Sequence, residues 1–504
     1  MLAGGGNAVD AAVAAVAAQG VVAPETCGIG GDLFALIHVP GWERPRALNA
    51  SGRAGSNVSA EALRRDGDAT IPVDHPAAVT IPGCVDGMEA LVTELGRLSL
   101  SESLAPAIGY AREGFSVSTE QAAAFARQAA VYHENPAVAT FYPGGVAVAP
   151  GVTVTRPDLA KTLEAIAIGG RSAFYEDTPG EDISVAVGGL ITRQDLERGQ
   201  AEWSDPIGVE VAGLTCWTVP PNSQGYLGPA TLAVFEMLGP PDDPDDPQWW
   251  HLLIEAYRCL AWERDDLVSD PETAALPIDL LLERERLERA AASVDPLRAG
   301  VWPRRVGPLA GTAYLCVADS EGMAVSVIQS NYRGTGSPFG ARRSGFLLQD
   351  RGLGFSLTQG HPNELAPGRR PLHTLAPTLW SEGDRARWLI GTRGGAVQPQ
   401  LVAQLAARAV LGGADLVAAQ AAPRWTVADF GPGSSPHPRV EPDVSDFVVA
   451  GLEAKGHTVT ALPGPQPGWG PMSVIELDGD TRRAAADPRV DTTTALVFPD
   501  QAVL

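Results

Sequence analysis

The chain has 504 residues, 45 % of them hydrophobic and 19 % charged, which is enough apolar material for a large packed core and too little charge for a disordered chain. A formal charge of −23 repels phosphate backbones, so nucleic acid is excluded as a partner and a soluble acidic surface is expected. The five cysteines, Cys27, Cys84, Cys216, Cys259 and Cys316, are scattered and form no CxxC, which speaks against a disulfide framework or zinc knuckle and for a reducing compartment.

The first element is "NAVDAAVAAVAAQ", Asn7 to Gln19, with a polar cap at its start and Gly20 beyond its end, and it reads as a buried helix. Asp10 interrupts its apolar stretch and no basic segment precedes it, so no secretory leader is read there and a cytoplasmic location is expected. No stretch is long and apolar enough to span a membrane. "CGIGGDLFALIHV" follows as a Gly-rich turn and a strand. Leu104 to Glu113 and Thr119 to Ala130 read as helices, as do the long amphipathic run Trp249 to Val268 and the segment Leu280 to Val294. Asp295 to Gly311, "DPLRAGVWPRRVGPLAG", has little periodicity and reads as an exposed linker. Strands come next, at Ala313 to Ala318, Ala324 to Gln329, Leu375 to Trp380 and Arg387 to Thr392, and then a helix from Gln400 to Leu411. Helical blocks flanking clustered strands predict a layered sheet sandwich covered by helices.

No HExxH and no GxxxxGK[ST] occurs, so neither a metalloprotease centre nor a phosphate loop of that kind is expected, and no metal or cofactor is assigned. Gly28-Ile29-Gly30-Gly31 follows a helix and precedes a strand, the reverse of the dinucleotide-binding order, and reads as a tight turn. Gly394-Gly395 lies between a strand and a helix. Such a pair can turn two amide N–H groups toward one point, although taken alone a plain strand-to-helix turn accounts for it better.

"GTAYLCVADSEGMAVSVIQSN", Gly311 to Asn331, reads as a β-hairpin closed by Ser320-Glu321-Gly322. Counting back from the turn puts Thr312 opposite Ser330. A threonine hydroxyl is a poor nucleophile without a base. Cutting the Gly311–Thr312 bond would give Thr312 a free α-amine able to take the proton from its own Oγ. The linker before it is where a chain can part without tearing a core. Taken alone, two surface hydroxyls on a hairpin account for the pair more simply.

The whole chain resembles the γ-glutamyltransferase (γ-glutamyltranspeptidase) family of N-terminal-nucleophile hydrolases. "GGNAVDAAVAA", "GIGGDLF", "AIGYAREGF", "VPPNSQG", "HLLIEAYRCLAWERDD", "NELAPGRRPLHTLAPT" and "AAPRW" match family segments in order, and so does the Gly-Thr hairpin. The resemblance implies a four-layer αββα sandwich made as one precursor that cleaves itself at Gly311–Thr312. It implies a large chain, residues 1–311, and a small chain, residues 312–504, held together as one composite domain, with further dimerisation left open. By position it implies that Thr312 is the nucleophile, that Ser330 stands for a second threonine bonded to it, and that Gly394 and Gly395 form the oxyanion hole. Arg53, in "ASGRAG", falls on the arginine that grips the α-carboxylate of the γ-glutamyl group, and His373 and Thr374 fall on a Ser-Ser pair touching the same carboxylate.

The departures concern the substrate. Gly352-Leu353-Gly354-Phe355 replaces Met-Asp-Asp-Phe, so Gly354 stands where the aspartate for the α-amino group belongs. Arg351 occupies a position that is often Gln or Glu, and Tyr332, or Asn331 with a one-residue slip, stands on the family's asparagine. The stretch between Phe355 and Pro371 is shorter than in lid-bearing bacterial enzymes. The expected activity is hydrolysis or transfer of a γ-glutamyl or related carboxyl-bearing acyl group through an acyl-enzyme on Thr312, with water, an amino acid or a peptide as acceptor. Two alternatives stand beside it: an amidohydrolase or acylase of the glutaryl-cephalosporin or oxamate type, and an inactive relative kept as a binding protein.

Overall fold

The computed structural model describes residues 1–273, 277–302, 311–427, 437–466 and 468–498. Eleven strands build two antiparallel sheets. In chain order they are β1 (Asp32–His38), β2 (Arg46–Ala50), β3 (Glu202–Ser204), β4 (Ile207–Val211), β5 (Leu214–Thr218), β6 (Gly311–Ala318), β7 (Ala324–Tyr332), β8 (Thr378–Glu382), β9 (Arg385–Thr392), β10 (Met472–Asp478) and β11 (Thr481–Ala486). One sheet runs β3-β2-β1-β7-β6 and the other β11-β10-β9-β8-β5-β4.

The alternation of side chains along each strand decides what each sheet face covers. On β1, Leu33, Ala35 and Ile37 pack under the helices Ala8–Val22, Cys84–Leu95, Leu100–Glu113 and Pro157–Tyr175. Phe34 and Leu36 point the other way and meet Tyr314, Ile328, Leu379 and Leu389 between the sheets. The far face of the second sheet, with Trp380, Trp388 and Ile390, is covered by the helices Leu227–Met237, Pro247–Ala261 and Gln398–Ala406. The layers are helix, sheet, sheet, helix, as expected. Each sheet combines a block of strands from before Gly311 with a block from Gly311 onward: β1, β2 and β3 join β6 and β7, while β4 and β5 join β8 to β11.

Several elements depart from the sequence reading. The first helix has the expected Asn7 cap, completed as a capping box with Asp10, but it runs through Gly20 to Val22. Glycine suits position 20 because the Gly28 backbone passes close by: a Cβ there would sit 3.2 Å from the Gly28 Cα. The helix expected over Trp249 to Val268 ends at Ala261, where the chain turns and the buried Arg264 Nη1 donates to Gln224 Oε1 at 3.0 Å. The linker is anchored at its start: Gly300 N–H and Trp302 Nε1 both donate to Glu255 Oε2. Residues 303–310 of that linker lie outside the described residues.

The Gly28–Gly31 turn is structural. A Cβ on Gly30 would lie 2.0 Å from the Leu347 carbonyl oxygen, and one on Gly31 2.3 Å from that of Ser330, so the glycines let the turn close against two other segments. The five cysteines are all free thiols. Among the described residues no helix is long and apolar enough to cross a membrane.

Candidate active site

The hairpin of β6 and β7 pairs as the count predicts from Ala318↔Ala324 back to Ala313↔Gln329, and then slips. Gly311 faces Tyr332 and Thr312 sits in the irregularity between them. Even-numbered residues of both strands face the inter-sheet layer, as Tyr314 and Ile328 show, so Thr312 and Ser330 face it too. Both are buried, and their Oγ atoms are 3.3 Å apart. Gly391 on β9 leaves room for the Tyr314 ring, since a Cβ there would come within 2.2 Å of it. That close approach locks the nucleophile strand against the second sheet.

Two hydroxyls hold the carbonyl of the bond expected to break. Thr312 Oγ1 donates to the Gly311 oxygen at 2.7 Å and Ser330 Oγ at 2.5 Å, while Ser330 Oγ accepts the Tyr332 N–H at 2.8 Å. Gly311 presses on the Gly334 backbone, where a Cβ would come within 2.4 Å of the Gly334 Cα. Tyr332 has φ of +78°, a left-handed conformation that is strained for an aromatic residue.

Asp32 opens β1 directly opposite Ser330. It is fully buried and satisfied: Oδ1 accepts Gly52 N–H and Gln349 Nε2, and Oδ2 accepts His373 Nε2 at 3.0 Å. Burial, reinforced by the Arg351 cation, pushes the His373 imidazole down to about 3 despite the Asp32 hydrogen bond, so it is neutral. The neutral ring donates from Nε2 to Asp32, and Nδ1 accepts the Leu375 N–H. Thr374 Oγ1 accepts from Arg351 Nη1 at 3.2 Å, and the Arg351 guanidinium lies 3.8 Å from the Tyr332 ring centroid. The structure therefore joins Thr312, Ser330, Tyr332, Arg351, His373 and Thr374 in one buried network.

Gly394 and Gly395 connect β9 to the helix Gln398–Ala406 with φ of +127° and +58°. Neither of their N–H groups has an acceptor among the described residues. Gln224 ties this turn to the same network by donating from Nε2 to the Thr374 and Gly395 carbonyls at 3.2 and 3.1 Å.

Arg53 differs from the sequence reading in its surroundings. It is buried, but its Nη2 is held by Glu202 at 2.7 Å and Glu272 at 2.8 Å. Burial works against its charge, and the two carboxylates outweigh that, holding its pKa above the usual guanidinium range. Its chain neighbour Gly52 donates to Asp32, which links it to the nucleophile's surroundings. Gly354 is also constrained: a Cβ there would lie 2.7 Å from the Leu372 carbonyl, so backbone fills the space an aspartate side chain would need. Asp350 is buried beside Asn331, its Oδ1 accepting the Arg333 N–H, and burial raises it to about 6.

Asp32 and Gln224 were not singled out from the sequence. The available signal was a carboxylate heading an otherwise apolar strand, "DLFALIH", and an amide in the turn "VPPNSQG". Among the described residues one group of metal-ligand type, His251, Glu255 and His457, lies in the helical layer of the second sheet, and its members bond to protein groups. His251 Nδ1 is 2.8 Å from His457 Nε2, and Glu255 takes Arg258 and Trp302.

A model of the gamma-glutamyltranspeptidase family matches residues 1–497. The chain is 35 % identical over 494 residues to the glutathione hydrolase-like YwrD proenzyme of Bacillus subtilis, covering 97 % of this chain and 93 % of the relative. It is 35 % identical over 502 residues to the oxamate amidohydrolase proenzyme of Klebsiella pneumoniae, covering 97 % and 94 %. Its fold matches the crystal structure of cephalosporin acylase from Bacillus halodurans with a TM-score of 0.90 and 30 % identity, over 99 % of this chain and 93 % of that one. The chain belongs to the gamma-glutamyltranspeptidase family.

Proposed function

We propose that the protein is a self-processing amide hydrolase or acyltransferase whose nucleophile is Thr312. The observation that carries this reading is the Gly311 carbonyl, held at one oxygen by the hydroxyls of both Thr312 and Ser330. Thr312 Oγ attacks the Gly311 carbonyl carbon, the C–N bond breaks, and the acyl group moves to Oγ as an ester. The Oγ proton passes to the departing nitrogen, which becomes the free Thr312 α-amine, and water then hydrolyses the ester to release the Gly311 carboxylate and the Thr312 hydroxyl. The names of the two relatives as proenzymes support such a step. That both sheets are built from strands on both sides of Gly311 supports pieces that stay together after the cut.

In turnover the α-amine takes the Oγ proton as Oγ attacks a substrate amide. The substrate carbonyl takes the place the Gly311 carbonyl holds in the uncut chain. The N–H groups of Gly394 and Gly395 stabilise the oxyanion, a contribution of about 3–4 kcal/mol per donor in comparable acyl-transfer sites. The amine then returns the proton to the leaving group, and water or an amine acceptor resolves the acyl-enzyme. The acyl group is γ-glutamyl or a related carboxyl-bearing group. The filled space at Gly354 favours the second reading, an acylase or amidohydrolase for acyl groups without an α-ammonium. The five free thiols support a reducing, cytoplasmic location. The test is release of p-nitroaniline from acyl anilides: wild type should turn over and Thr312→Ala should fall by about a thousandfold or more. Equal rates in the two would remove Thr312 from the chemistry.

A further inference from the structure

Arg351 is wholly buried, yet its guanidinium is only partly bonded. Nη1 donates to Thr374 Oγ1, one face lies on the Tyr332 ring, and Nε and Nη2 have no acceptor among the described residues. Neither of the two nearest acids bonds to Arg351. Both oxygens of Asp32 are taken by Gly52, Gln349 and His373, and Asp350 Oδ1 accepts the Arg333 N–H. Burial accordingly lowers the pKa of Arg351, against the pull of Tyr332, Asp32 and Asp350. A buried cation with two unmet donors is costly to keep unless something answers it.

The unmet donors are the right pair for an anion. Nε and Nη2 share one edge of the guanidinium, the side that grips a carboxylate with two parallel hydrogen bonds. Arg53 also has two unmet donors, but they are Nε and Nη1, which share no edge, and Glu202 and Glu272 already occupy its Nη2. A third carboxylate at Arg53 would meet a charge that is already balanced. Arg351 is also the closer to the chemistry. Its ring partner Tyr332 pairs with Gly311 across the hairpin and donates its N–H to Ser330 Oγ. Cutting after Gly311 vacates the ladder position beside Tyr332, and an acyl donor that takes the place of the Gly311 carbonyl extends along Tyr332 toward Arg351.

From this edge-on geometry we infer that Arg351, not Arg53, is the carboxylate receptor of the acyl site, and that the preferred donors are monoamides of dicarboxylic acids without an α-ammonium group. The inference rests on the acyl-transfer reading above and specifies its substrate class. Asp32 has both oxygens taken by protein donors, Asp350 gives one oxygen to the Arg333 N–H, and Gly354 has no room for the acid that would pair an ammonium.

The experiment uses processed full-length enzyme and measures ammonia release from oxamate, succinamate and glutaramate, from neutral amides of equal length, and from glutamine. At least one acid monoamide should exceed its neutral match in kcat/KM by about a hundredfold, and glutamine should not exceed glutaramate. In Arg351→Gln that ratio should shrink at least tenfold, with the loss in KM, and Arg351→Lys should recover part of it. If Arg351→Gln does not fold, competition on wild type decides: a free dicarboxylate should inhibit at least tenfold more strongly than its diamide. An unchanged ratio in Arg351→Gln, equal inhibition by acid and diamide, or a hundredfold preference for glutamine would overturn the inference. A chain that splits at Gly311–Thr312 and releases ammonia without regard to charge would defeat only the Arg351 assignment. A chain that neither splits nor turns over any amide would defeat the acyl-transfer reading with it.

Discussion

Ser330 and Thr312 stand Oγ to Oγ, 3.3 Å apart, across a ladder that has slipped by one residue at that point. Had the pairing stayed regular to its end, Gly311 would face Asn331. The slip places Gly311 opposite Tyr332 instead and lets Ser330 Oγ reach the Gly311 carbonyl while accepting the Tyr332 N–H. Removing the Ser330 hydroxyl takes a donor from the carbonyl under attack. Ser330→Ala should therefore slow both chain cleavage and turnover by roughly tenfold to a thousandfold, and Ser330→Thr should be tolerated. Full rates for Ser330→Ala in both assays would show the contact to be incidental.

Gly311 cannot carry a side chain without moving its neighbour, because a Cβ would press on the Gly334 backbone at 2.4 Å and Gly334 is itself held at φ of +63°. Gly311→Ala should displace the scissile carbonyl from Ser330 and leave the chain mostly uncut over hours in which wild type is fully cut. A time course on denaturing gels measures this, and wild-type kinetics in the variant would mean that the carbonyl position is not limiting.

Much of this frame was legible because it is local. The Asn7 cap, the turn ending in Gly322, the apolar alternation of β6 and β7 and the Gly394-Gly395 turn each arise from residues within a few positions of one another. The slip at Gly311 was not legible, since it depends on Gly334 and Tyr332 packing from the other side of the hairpin. Nor was the buried set of Asp32 and His373, partners 341 residues apart whose pairing only the stacked sheets create. Arg53 was expected to meet the substrate carboxylate, and its bonds to Glu202 and Glu272 were not legible because both lie far along the chain from it. The segment Leu375 to Trp380 was expected to be all strand, but β8 begins at Thr378 because the residues before it bend to deliver His373 and Thr374 to the network.

The Gly394 backbone, at φ of +127°, suits glycine alone, and an added Cβ would also crowd Val397 Cγ2 at 3.1 Å. Gly394→Ala should misdirect the amide pair and lower kcat by about a hundredfold to a thousandfold while KM changes little. A kcat within a factor of a few of wild type would place the oxyanion donors elsewhere.

Glu25 is buried, and burial raises its carboxyl to about 7, against the hydrogen bonds from its own backbone and Gln121. The folded protein therefore holds this proton through a range in which the unfolded chain has lost it. Stability from this group is present at low pH and is lost as pH rises from about 4.5 to about 7. Replacing it removes that loss. Relative to wild type, Glu25→Gln should gain on the order of 2–3 kcal/mol in unfolding free energy between pH 5 and pH 8. Urea titrations of both proteins at the two pH values give the difference, and parallel pH profiles would show that the carboxyl titrates normally.

The central claim is that Thr312 cuts the chain in front of itself. Intact-mass measurement with N-terminal sequencing of the purified protein tests it most directly. Wild type should resolve into residues 1–311 and residues 312–504, the second beginning Thr-Ala-Tyr-Leu, and the two should co-elute under native conditions. Thr312→Ala should remain one chain of 504 residues. A wild-type protein that stays whole under conditions where it turns over substrate, or a Thr312→Ala variant that yields the same new N-terminus, would contradict the account.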